Sequence, residues 1–149
     1  MLKRLLVVLG LLTVVVSVAA PSFAVEGVAE RQSRKRAEAQ KYPNEAQEAM
    51  QAKNYDRAIE LFTKAIDSKA FNDQGEALGK LYFGRGTAHQ AKKDCVAAIA
   101  DFDKAEETLD DGDLFYARGA CYLELKQDDK ALADFDKAVK ADPDAPMYR

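Results

Sequence analysis

Histidine occurs once and cysteine twice in this sequence, and that scarcity removes most metal and nucleophilic chemistry at the outset. Zinc sites draw several Cys, His and acidic ligands at short fixed spacings, and no such spacing occurs. A nucleophile elbow and a phosphate loop are equally absent. The sole histidine, His89, falls in a helical pattern and reads as a packed side chain, not as a base or a ligand. Asp101 with Asp103, and Asp134 with Asp136, resemble paired carboxylates, but residues two apart on a helix do not face each other. Asp110-Asp111-Gly112-Asp113 lacks the alternating acids that a calcium loop places before its glycine, and it reads as a turn with Asp113 capping the next helix. No catalytic residue, cofactor or metal site is expected, and the protein is expected not to be an enzyme.

Excess positive charge is also lacking. The formal net charge is -3, and a surface without surplus Lys and Arg cannot neutralise phosphates, which excludes nucleic acid as the expected partner. One basic cluster, Arg31-Gln32-Ser33-Arg34-Lys35-Arg36, is bordered by Glu30 and Glu38 and reads as a solvated helix face. Long apolar runs are absent except at the start, where Lys3 and Arg4 precede an apolar or small stretch from Leu5 to Ala20, followed by Pro21-Ser22-Phe23-Ala24. A charged start, an apolar run and a small-x-small exit form the pattern of a secretory signal, with cleavage expected after Ala24. The other reading is an uncleaved anchor, since the run falls just short of the roughly 17–25 residues that a spanning helix uses. Cleavage leads to the periplasm or the exterior, with no membrane contact afterwards. It also leaves one charged segment at 25–41 and one domain at 42–149.

What is present is self-similarity. Ala98-Ile99-Ala100-Asp101-Phe102-Asp103-Lys104-Ala105 recurs 33 positions later as Ala131-Leu132-Ala133-Asp134-Phe135-Asp136-Lys137-Ala138. A third copy, Ala58-Ile59-Glu60-Leu61-Phe62-Thr63-Lys64-Ala65, lies 40 positions upstream of the first. Tyr82-Phe83-Gly84-Arg85-Gly86 matches Phe115-Tyr116-Ala117-Arg118-Gly119 at the same shift of 33. A small residue (Ala46, Gly86, Gly119) stands twelve before the first Ala of each second segment. Apolar positions step by three and four, so each unit is two helices joined near Asn54, Lys93-Asp94 or Gln127-Asp128. Units are expected at about 42–70, 79–110 and 112–143. Gly86 and Gly119 are expected to let the paired helices approach, with Phe102 and Phe135 beside them.

These residues resemble the tetratricopeptide repeat pattern. The last unit shows it in Phe115, Gly119, Tyr122, Ala131, Phe135, Ala138 and Pro143, and the middle one in Tyr82, Gly86, Ala98, Phe102 and Ala105. The first keeps Tyr42, Ala46, Ala58, Phe62 and Ala65. The resemblance implies an all-α fold, a right-handed superhelical stack of antiparallel helix pairs with about three units. The step of 40 between units one and two predicts an enlarged turn or extended helix ends over residues 67–78.

The resemblance also implies a concave groove lined by first helices, and it places Gln47, Met50, Gln51, Lys80, Phe83, Thr87, Gln90, Tyr116, Leu123 and Glu124 there, to hold a peptide or partner protein. Phe83 and Tyr116 would be the aromatic anchors. They stand where Lys and Asn would form a basic clamp for acidic carboxyl-terminal peptides, which disfavours a partner of that kind. A homo-oligomeric scaffold closing through Leu132, Phe135 and Val139 of the last helix is the alternative.

Two structural pairings are also expected. Arg85 and Arg118 each precede an aspartate (Asp101, Asp134) by sixteen, whereas unit one has Glu45 and Leu61 at those places. An ion pair follows, either within a unit or between Arg118 and Asp101. Cys95 and Cys121 lie on helices that should run antiparallel with their ends meeting, and export would favour a disulfide over two buried thiols.

Overall fold

The computed structural model describes residues 22–146, all helices and short connections, with no strand among the described residues. Residues 1–21, which carry most of the expected export signal, lie outside the described residues. The helices are α1 (Ser22–Ala39), α2 (Lys41–Gln51), α3 (Tyr55–Asp67), α4 (Gly75–Ala91), α5 (Cys95–Glu106), α6 (Gly112–Glu124) and α7 (Asp128–Ala141). They pair as α2 with α3, α4 with α5 and α6 with α7, and the pairs stack in chain order through α3 on α4 and α5 on α6. None of these helices is long and apolar enough to cross a membrane.

Each pair turns through the same device. Lys53, Lys93 and Lys126 all adopt left-handed backbone, with φ of 58°, 66° and 59°. The amide of each lysine donates three residues back, to Met50, Gln90 and Leu123, while the next amide donates five back, to Ala49, His89 and Tyr122. Paired bonds of this kind close a helix by satisfying carbonyls that the helix cannot. Glycine usually occupies that position, so three lysines there sustain a conformational cost of about 1 kcal/mol each. Asn54 and Asp94 then open the following helices, their side chains accepting from the amides of Arg57 and Ala97. Gln127 makes no such cap. The cap of α6 is Asp111, whose carboxylate accepts from the amide of Asp113 at 2.8 Å. This corrects the expected cap at Asp113, because α6 starts at Gly112, one residue earlier than the aspartate that was to precede it.

Small residues set the distance between paired helices. Ala46, Ala58, Ala98 and Ala131 are buried. A methyl added at Gly86 would stand 2.7 Å from the Phe102 ring and 3.2 Å from the Ala98 carbonyl. At Gly119 the same methyl would stand 2.8 Å from the Phe135 ring and 3.3 Å from the Ala131 carbonyl. Nothing but hydrogen fits while these rings stay in place. Burying a phenylalanine of this kind contributes about 1.5–3 kcal/mol.

The step of 40 is absorbed in two ways. A turn at residues 68–74 tucks Phe71 into the first apolar cluster, 4% exposed, and α4 begins at Gly75, so it is longer at its start than α6. Before the first pair, α1 and α2 form almost one helix, broken at Gln40. Pro43 accounts for the break, since its ring collides with the carbonyl four residues back, that of Ala39, and it donates no amide. Arg36 ties α1 to the 68–74 turn, donating to the Ala70 carbonyl and to both Asp73 oxygens.

The two glycines should respond differently to enlargement. Alanine gains about 1 kcal/mol of helix propensity over glycine, whereas overpacking costs about 1–3. Phe102 is fully buried and cannot swing aside, while Phe135 is half-buried. Gly86→Ala is expected to lower stability by about 1–2 kcal/mol and Gly119→Ala by less than about 1, measured by urea unfolding.

Candidate partner-binding groove

The first helices of the three units, α2, α4 and α6, carry the residues expected to meet a partner. Lys80, Phe83, Thr87 and Gln90 recur along one side of α4 at helical spacing. Adjacent first helices are tied directly, since Gln90 Nε2 donates to the Ala117 carbonyl of α6 at 3.1 Å. Gln47, Gln51, Lys80, Leu123 and Glu124 are exposed, and Met50, Phe83, Thr87, Gln90 and Tyr116 are half-buried. Leu123 is 54% exposed, a large apolar side chain left to solvent at the end of α6.

The two aromatics divide their surface between core and solvent. Phe83 lies against Phe102 with ring centroids 5.8 Å apart, and Tyr116 against Phe135 at 5.5 Å, both tilted. Each therefore has one part of its ring committed to packing the second helix of its own unit. The Thr87 hydroxyl is also used internally, donating to the Phe83 carbonyl.

Charges along this row are already balanced. Lys80 donates to Glu76 one turn earlier at 2.6 Å, and Glu124 accepts from Lys93 at 3.0 Å and from the Cys95 thiol at 3.3 Å. The Lys93 ammonium, with weaker help from that thiol, holds the Glu124 carboxyl below the usual carboxylate range. Elsewhere, a hollow of about 380 Å³ lies between α1 and the 68–74 turn, but its guanidinium, Arg36, is held by Asp73. His89 is half-buried near the Asp94 carboxylate, 3.7 Å away.

The arginine pairing is made within a unit. Arg85 Nε and Nη2 donate to the two oxygens of Asp101 at 2.9 and 2.7 Å, and Arg118 Nε and Nη2 donate to those of Asp134 at 2.7 and 2.9 Å. The third nitrogen crosses to the preceding unit. Arg85 Nη1 reaches the Thr63 hydroxyl of α3, and Arg118 Nη1 reaches Asp103 at 2.7 Å and Glu106 at 2.6 Å on α5. The alternative partner across units, Asp101, is occupied by Arg85. Sequence spacing left the pairing within a unit and the pairing across units open; the fork is made within the unit, and the crossing goes to Thr63, Asp103 and Glu106 instead of Asp101, Thr63 and Asp103 sharing one repeat position.

Arg118 and Asp134 are each 5% exposed at the side chain. Burial disfavours the guanidinium charge, but hydrogen bonds to Asp134 and Glu106 outweigh it and raise the arginine pKa further. The same guanidinium, against the opposing effect of burial and with help from Lys137, holds the Glu106 carboxyl below its ordinary range.

The side chains expected at an oligomer contact differ in exposure. Phe135 is half-buried against Tyr116, whereas Leu132 and Val139, seven apart on α7, are 63% and 40% exposed. Cys95 and Cys121 are both buried free thiols in this structure.

Comparison with known proteins now adds to the geometry. One tetratricopeptide repeat model matches residues 112–145 and another matches residues 39–72. Residues 39–72 and 112–145 are tetratricopeptide repeats. Among solved structures, the tetratricopeptide repeat domain of Arabidopsis OM64 is 21% identical, with a TM-score of 0.69, covering 76% of this chain and 90% of that one. The first tetratricopeptide repeat domain of Spaghetti (RPAP3), bound to the HSP90 peptide SRMEEVD, is also 21% identical, with a TM-score of 0.66, covering 74% and 83%. Comparison with curated proteins gives no match. Tetratricopeptide repeat domains are protein-interaction modules, and the fold is typically a non-catalytic scaffold.

Two outcomes check the arginine linkage. Arg118→Ala strands a buried carboxylate and should cost about 3–5 kcal/mol. In a double-mutant cycle with Asp134→Ala the losses should fall short of additivity by more than about 1 kcal/mol, and additive losses would remove the linkage. Acid supplies the second outcome. A carboxyl whose folded pKa is depressed contributes stability above its unfolded value, and that contribution disappears as pH falls through the folded value. Denaturation midpoints should therefore drop as pH is lowered below 4.5, the ordinary value for Glu106, and should drop less steeply in Glu106→Gln.

Proposed function

We propose that this protein holds an extended segment of another polypeptide along the face formed by α2, α4 and α6, as a non-enzymatic interaction module of the cell envelope. One observation carries the reading: exposed Gln47, Gln51, Lys80 and Leu123 continue along the first helices beside half-buried Phe83 and Tyr116, while Lys80 and Glu124 are already neutralised by Glu76 and Lys93. Such a surface offers apolar and amide contacts and no surplus charge, so the partner is recognised by shape and burial more than by charge. The Spaghetti domain is similar in fold, and its bound peptide is acidic. Here Phe83 and Tyr116 stand at positions that a basic clamp would need, which favours a less charged segment. The envelope location rests on Lys3, Arg4 and the apolar run before Ala24.

Self-assembly through α7 is the second reading, favoured by the exposure of Leu132 and Val139. A photocrosslinking side chain placed singly at Leu123, Leu132 or Val96 separates the readings, Val96 being 70% exposed at the start of α5. Crosslinking at Leu123 to a different polypeptide, and not at Val96, is the expected outcome. Adducts between two copies at Leu132, with a mass in solution that rises with concentration, would replace the groove by self-assembly. Phe83→Ala with Tyr116→Ala should weaken capture at least tenfold, with the helical content retained.

A further inference from the structure

The chain's two cysteines come from helices of successive units and meet where those units join. Cys95 is the first residue of α5, and Cys121 lies in the last turn of α6. They are 3% and 0% exposed and belong to one apolar cluster, and the Cys95 thiol donates to Glu124, three residues beyond Cys121 on α6, at 3.3 Å. Among the described residues no group of three His, Cys, Asp or Glu side chains could hold a metal ion, so metal binding does not explain the pair. Two buried thiols in one cluster, on helices that pack on each other, have one ready covalent outcome, joining to each other.

We propose that Cys95 and Cys121 form an intramolecular disulfide that staples unit two to unit three, made while the chain folds by exchange with an external disulfide. In the first step the Cys95 thiolate attacks one sulfur of that disulfide and expels the other as a thiolate, leaving a mixed disulfide on Cys95. The Cys121 thiolate then attacks the Cys95 sulfur and expels the second thiolate. The external disulfide is reduced to two thiols, taking up the two protons that the cysteines lose, and the cysteines are oxidised by two electrons.

The structure also says when this happens. Burial pushes both thiols up, Cys121 far above its ordinary value, so in the folded protein the attacking thiolate is scarce as well as inaccessible. Exchange is therefore slow once α6 has docked and fast before it has, and the finished bond is protected from reduction by the same burial. Oxidation has a local consequence. The Cys95 thiol that donates to Glu124 ceases to exist as a donor, and that carboxylate at the end of α6 keeps Lys93 alone. The staple does not depend on what the first-helix face binds.

Refolding the reduced chain in a glutathione and glutathione-disulfide buffer, then denaturing and labelling it with a maleimide polymer, tests the bond directly. A monomer with no labelled thiol and no glutathione adduct is expected, whereas folded reduced protein in the same buffer should lose its thiols at least tenfold more slowly. Bridging residues 26 positions apart should raise the folding equilibrium constant by roughly two to three orders of magnitude. Cys95→Ser and Cys121→Ser should each leave one thiol, labelled or carrying one glutathione. Two labelled thiols, a glutathione on each cysteine, or disulfide-linked dimers after refolding would each overturn the proposal. The thiol count of the unaltered chain decides it even where a serine variant fails to fold.

Discussion

The close approach of two helix backbones within each unit is the constraint on which the other features depend. Gly86 opposite Ala98 and Gly119 opposite Ala131 leave no room for a larger group while Phe102 and Phe135 fill the space beside them, and Ala46 and Ala58 are fully buried in the first unit. Because that distance repeats, the left-handed lysine after each first helix can close the same pair of hydrogen bonds three times. Two antiparallel helices alone bury too little to be stable, so the repeated pair must stack, and the stack is where stability accumulates.

Stacking brings the arginines into play. A guanidinium is a rigid fork with five donors, and Arg118 uses three nitrogens on three carboxylates from two units. Burying such a group costs energy that one carboxylate seldom offsets, but Asp134 within the unit and Asp103 and Glu106 across the junction share the task. Arg85 makes the weaker version, with Thr63 in place of the second carboxylate and 20% of its side chain exposed. The junction between units two and three is thus the more highly charged one. Lys137 joins it through Glu106, and Lys93 and Glu124 close its other end.

Much of this was legible in the sequence. The shift of 33 between Ala98–Ala105 and Ala131–Ala138 marks the helix pairs without any structural knowledge, and the recurrence of Arg and Asp sixteen apart marks an ion pair while leaving open which aspartate Arg118 takes. What stayed hidden depends on angles that a linear pattern does not carry. Lys53, Lys93 and Lys126 occupy corresponding positions, yet lysine does not announce a left-handed turn as glycine would. The third nitrogen of each fork reaches a neighbour twelve to twenty-two positions away through stacking alone. Asp111 rather than Asp113 caps α6 because either acid satisfies the pattern, and only the helix start distinguishes them. For the candidate groove, it is the family resemblance that implies which side chains share a face. It does not predict that the aromatics give part of their rings to Phe102 and Phe135.

That division bears on recognition. Among the described residues, Arg85, Arg118, Lys80, Lys93, Lys104 and Lys137 all stand against carboxylates of the chain itself. An acidic partner would have to displace those internal bonds, losing about as much as it gained, because exposed pairs contribute only about 0–1 kcal/mol. Contact with Leu123, 54% exposed, displaces mainly solvent. Apolar area removed from water contributes about 25 cal/mol per Å², so a segment that covers Leu123 gains where an acidic one does not. On the first-helix face the cation Lys80 is already paired with Glu76, so apolar contact is the contribution that costs no internal bond there.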